Sequence, residues 1–106
     1  MRFTQITFRH MPHSGPLGER IRELSTRLEE KYPQIRLCRV SVEEPQKRKA
    51  GRILQITIDV RVPSGDIVSV SRGTDAESVL REAFADLGRK LEEDEAVIAP
   101  PAASRG

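Results

Sequence analysis

The sequence contains no tryptophan, one tyrosine and three phenylalanines, an aromatic content of only 4%. A base-stacking platform of the RRM type needs exposed aromatics on its central strands, and the outward strand positions here are Arg, Ser, Glu, Gln, Thr and Asp, which argues against one. The single cysteine, Cys38, excludes an internal disulfide and any cysteine-rich zinc site. It alternates with Val40 and Val42 in a strand-like run, which makes it a small core residue. His10 and His13 have no nearby acid or cysteine to complete a metal site and read as loop histidines. There is no glycine-rich phosphate loop, nucleophile elbow or metal motif, and Ser25, Ser69 and Ser71 show no local base. No enzyme activity or metal site is therefore expected. No apolar run approaches the ~18 residues of a membrane span, and the N-terminus lacks the apolar core of a secretory signal. A cytoplasmic location is expected.

What is present is an amphipathic chain of one domain's length. Its 106 residues are 37% hydrophobic and 32% charged, with a net charge of +2. Strict alternation predicts four strands, over 3–9, 35–44, 52–62 and 67–71. Thr4, Ile6 and Phe8 face the core from the first, and Cys38, Val40 and Val42 from the second. Leu54, Ile56, Ile58, Val60 and Val62 do so from the third, and Val68 and Val70 from the fourth. Residues 63–66 (PSGD) supply turn chemistry for a tight hairpin into that last strand.

Two helices are predicted. The first starts at Pro16, whose missing N–H costs nothing in a first turn, and runs to about Lys31, stopped by Pro33. Leu17, Ile21, Leu24 and Leu28 form its apolar stripe, and Arg20, Arg27 and Lys31 line one flank, with Glu23 placed to pair with Arg27. The second runs over 74–94, opened by a capping box between Thr74 and Glu77, with Ala76, Val79, Leu80, Ala83, Phe84, Leu87 and Leu91 inward. The implied fold is a two-layer β-α-β-β-β-α sandwich: a four-stranded mixed sheet with both helices on one face and the other face open and polar. It occupies residues 1–95 as a single domain. Residues 96–106, with two prolines and no period, are expected to be a disordered tail.

Charge is distributed unevenly. Between Asp75 and Glu95 three basic residues face eight acidic ones, whereas outside the helices eleven basic residues face four acids. The densest positive stretch is a predicted loop over 45–51 carrying Lys47, Arg48 and Lys49. A double-stranded-RNA domain would place lysines at the start of its second helix, where this chain has Asp75 and Glu77.

The order of elements, the strand RILQITIDVRVP over 52–63, and RGTD over 72–75 leading into VLREAFADLGRKL over 79–91 resemble the ribosome-hibernation factors. These are the hibernation-promoting factor and ribosome-associated inhibitor group, also called sigma-54 modulation proteins. The resemblance covers about residues 3–93 and is to the short type, which lacks a linked dimerisation domain. It implies binding to the small ribosomal subunit, through rRNA, in the mRNA and tRNA channel, blocking translation in stress; no cofactor, membrane or small-molecule substrate is implied. Arg27 and Arg89 match the family's basic helix positions, and Arg20, Lys31, Arg81 and Lys90 lie beside them. With Lys47, Arg48 and Lys49 these are the candidate rRNA contacts. Where family members commonly carry a lysine before the leucine at Leu87, this chain has Asp86, and its helix ends in Glu92, Glu93, Asp94 and Glu95. Those acids make the alternative partner a basic protein docking on the last helix.

Overall fold

The computed structural model describes residues 4–12, 14–48 and 51–98; over 45–48, 51–52 and 95–98 it describes the backbone only. The elements are β1 (Thr4–Arg9), α1 (Gly15–Lys31), β2 (Leu37–Arg48), β3 (Gly51–Val62), β4 (Gly65–Gly73) and α2 (Ala76–Ile98). The strands lie in the order β1-β2-β3-β4. The α1 crossover makes β1 and β2 parallel, and the two hairpins make the remaining pairs antiparallel. This is the two-layer β-α-β-β-β-α sandwich expected from the pattern.

The core is the interior of that sandwich. Val40 and Val42 of β2 and Ile56, Ile58 and Val60 of β3 are buried against Ile21 of α1 and Leu80, Ala83, Leu87 and Leu91 of α2. Each fully buried aliphatic side chain contributes about 1.5–3 kcal/mol relative to exposure. On α1 the most buried line is Gly18, Ile21, Ser25 and Glu29, while Leu17, Leu24 and Leu28 are only partly buried at its border. The Ser25 hydroxyl lies 3.9 Å from the Cys38 sulfur, and burial pushes that thiol up to about 11, so Cys38 is an inert core group.

Four sequence expectations are corrected. The first is the phase of β4: Val68 and Val70 are 42% and 50% exposed, and Ser69 is buried instead. The β3–β4 register places Ile58 opposite Ser69 and Val60 opposite Ile67, so the buried face of β3 dictates which β4 residues point inward. The Ser69 hydroxyl is satisfied there by the Ala83 carbonyl and the Asp86 carboxylate, both at 2.9 Å.

Second, α2 is capped by Asp75, not Thr74. The Asp75 carboxylate accepts from the Ser78 N–H at 3.0 Å and from its hydroxyl at 2.6 Å, and these bonds hold its pKa below the usual value. Glu77 turns to Arg20 instead of closing a box. Gly73 is needed just before this cap, because a Cβ there would lie 2.8 Å from Val79 Cγ2.

Third, residues 45–48 and 51 of the expected loop belong to strands β2 and β3. Pairing is interrupted between Glu43 and Gln46 and then resumes, with Lys47 opposite Arg52 and Arg48 opposite Gly51. Pro45, which has no N–H for the ladder, falls within this irregularity, so the strands continue past it. Lys49 lies outside the described residues, as does His13. Fourth, α2 continues to Ile98, past the expected helix end near Asp94; residues 99–106 lie outside the described residues.

Candidate nucleic-acid interface

The helix layer brings six of the nine candidate cations together. The α1 cap is built locally, with the Ser14 hydroxyl accepting from the Leu17 N–H at 3.3 Å, and this sets the helix phase that puts Arg20, Arg27 and Lys31 on its outer flank. Arg81, Arg89 and Lys90 project from α2. The strand positions Lys47 and Arg48 belong instead to the β2–β3 hairpin.

Every one of the six is held by a carboxylate. Arg20 bridges the helices, reaching Glu77 at 3.1 Å and Glu23 at 3.0 Å, and both bonds raise its pKa. Glu23 also accepts from Arg27 at 3.0 Å, the i,i+4 pair expected from the sequence. Arg81 approaches Glu77 at 3.9 Å, and Lys31 approaches Glu92 at 3.7 Å. Asp86 binds Arg89 at 3.0 Å and Lys90 at 3.2 Å. Its pKa is lowered, first by the Ser69 hydroxyl and then by Lys90. Lys90 also donates to the Val68 carbonyl at 2.8 Å.

The cations differ in how much of each side chain faces solvent. Arg27, Lys31, Arg81 and Arg89 are between 65% and 69% exposed, Lys90 is 45% and Arg20 only 32%. Arg20 is thus mainly a strut between α1 and α2, while the other four present their charge outward. Of the acids at the end of α2, Glu92 and Glu93 are exposed, and Asp94 accepts from the Ser64 hydroxyl at 2.8 Å. The Glu95 side chain lies outside the description. The spacings of Glu77 to Arg81 and of Asp86 to Lys90 carry the same i,i+4 signal that pairs Glu23 with Arg27, and mark both acids as clamps.

Nothing in the described residues gathers three or more His, Cys, Asp or Glu into a metal-holding group, and no described helix is long and apolar enough to cross a membrane. Among the described residues the arrangement is a surface of exposed ion pairs.

The family model for the sigma 54 modulation protein / S30EA ribosomal protein family matches residues 4–96. The chain belongs to that family. It is accordingly a ribosome-associated protein of the hibernation type, in a family of ribosome-binding factors rather than of enzymes. No curated protein sequence matches this one significantly. Solved structures show the same fold at low identity. A ribosomal subunit interface protein from Coxiella burnetii is similar with a TM-score of 0.78 and 15% identity, over 89% of this chain and 98% of that one. The N-terminal domain of Protein Y from Thermus thermophilus is similar with a TM-score of 0.71 and 15% identity, over 88% of this chain and 98% of that one.

Proposed function

We propose that this member of the S30EA family is a translation inhibitor that occupies the mRNA and tRNA channel of the small ribosomal subunit under stress. The family match over residues 4–96 carries the reading. It is supported by the four cations Arg27, Lys31, Arg81 and Arg89 on the outer side of the helix layer, assisted by Arg20 and Lys90; Lys47 and Arg48 on β2, and Lys49 outside the described residues, are further candidate contacts from the sequence. Exposed ion pairs are worth at most about 1 kcal/mol, so rRNA phosphates can displace the carboxylates that hold these side chains. Phosphate contacts position the protein, and the shape of folded RNA gives site preference without base readout. Inhibition is then steric, and requires no chemistry.

The test is competition for purified small subunits. Added protein should displace initiator tRNA and a short mRNA, and the Arg27→Glu, Arg89→Glu double variant should not. Binding that leaves tRNA and mRNA in place would contradict occlusion even if the protein stays on the subunit.

A second reading is favoured by the acids of α2, which has no basic residue in its last turn to oppose them. In that reading α2 docks on a basic protein. Replacing Glu92, Glu93, Asp94 and Glu95 by lysine separates the two: it should tighten subunit binding if rRNA is the partner and abolish association if a basic protein is.

A further inference from the structure

The β4 edge carries a self-complementary pattern that the ribosome reading does not use. Arg36 N–H donates to the Arg61 carbonyl at 2.8 Å, so the Arg61 peptide group faces the β2 side of β3. Alternation then directs the peptide groups of Ile58, Val60 and Val62 toward β4, where their partners are Ser69, Ile67 and Gly65. The odd-numbered residues of β4 are thus consumed by β3, and Asp66, Val68, Val70 and Arg72 present their N–H and C=O groups at the free edge. The Lys90 bond to the Val68 carbonyl agrees with that parity.

The same four residues place their side chains on the open face of the sheet, in the order acid, valine, valine, base. Two of these, Val68 and Val70, are the exposed large hydrophobic residues among those described. Reversed about Ser69, the order reads base, valine, valine, acid.

We propose that β4 pairs antiparallel with β4 of a second copy of this chain, about a two-fold axis at Ser69. In this register Asp66 lies opposite the second copy's arginine at position 72, and Val68 opposite its valine at position 70. All the outward peptide groups fall into hydrogen-bonded pairs. Moving the register by one hydrogen-bonding step sets Asp66 against Val70 in one direction and Arg72 against Val68 in the other, so charge selects the centre at Ser69. The intramolecular bonds of Asp66 to Arg61 at 3.1 Å and of Arg72 to Gln55 at 2.7 Å need not break, because a carboxylate accepts from two donors and a guanidinium has several. Lys90 must release Val68, keeping its pair with Asp86. It acts as a guard on the edge, a common use of lysine on exposed strands. The assembly is an isologous dimer with a continuous sheet and one valine cluster on its open face.

Sedimentation equilibrium of the full chain, from low micromolar to near-millimolar concentration, tests this. The wild type should approach a dimer. Arg72→Asp should weaken dimerisation about tenfold by setting carboxylate against carboxylate twice. Adding Asp66→Arg to that variant should restore it. Asp66 and Arg72 are exposed, and circular dichroism melts establish that the variants fold. In the wild-type dimer, hydrogen exchange should slow with concentration at the amides of residues 66, 68, 70 and 72. A monomer throughout, or a dimer indifferent to Arg72→Asp, would overturn the proposal.

Discussion

On α1, Arg27 and Lys31 are held by Glu23 and Glu92, which are themselves 49% and 62% exposed. On α2, Arg89 and Lys90 are held by Asp86, which is 32% exposed and fixed to the core by the buried Ser69 hydroxyl. The first kind of pair is formed by two exposed side chains in water and is cheap to exchange. The second has one member already ordered, so a competing phosphate must overcome an anchored carboxylate. Two helices with similar numbers of candidate cations therefore offer unequal access to rRNA.

The largest expected effect breaks that comparison directly. Arg27→Glu with Lys31→Glu should lower affinity for small subunits about a hundredfold at moderate salt, whereas Arg89→Glu with Lys90→Glu should lower it only about tenfold. Equal losses in co-sedimentation would show that the Asp86 anchor does not matter. Removing the anchor is the next test. Asp86→Asn frees Arg89 and leaves Lys90 with its bond to the Val68 carbonyl, and should tighten binding severalfold at low salt, while Glu23→Gln should change it less than about twofold.

Stability effects are smaller. Ser69→Ala removes the hydroxyl shared by the Ala83 carbonyl and Asp86, and should cost about 1 kcal/mol in urea unfolding. Its pH signature has a definite sign. The folded-state pKa of Asp86 lies below the ordinary aspartate value of about 4, so its contribution is present above that value and lost as pH falls through the depressed one. Ser69→Ala should therefore move the onset of acid unfolding to higher pH. Glu23→Gln, by contrast, should leave stability within about 0.5 kcal/mol of wild type.

Most of the fold was legible because alternation and helical period agree with each other in β1, β2, β3 and both helices. Local pattern gives the wrong phase for β4, since two valines look more like an inward face than two serines do. The register held the answer: with a turn at residues 63 and 64 and Val62 inward, Gly65, Ile67 and Ser69 must share its face. What makes a buried serine acceptable is a helix carbonyl and a carboxylate on α2, and no local pattern in β4 announces those. The continued strands beyond Pro45 were hidden for a similar reason, as proline and a run of charge imitate a loop. For the candidate site, the flank positions of Arg27 and Lys31 followed from the helical wheel, whereas the inter-helix pairs of Arg20 with Glu77 and Lys31 with Glu92 depend on how α1 and α2 lie together.

Co-sedimentation with small ribosomal subunits across a salt series tests the helix-layer reading most directly. If phosphates displace the carboxylates, binding is saturable and the logarithm of the affinity falls linearly with the logarithm of salt, with a slope of about −2 or steeper for three or more contacts. Binding that ignores salt, or no binding at low salt, would contradict it.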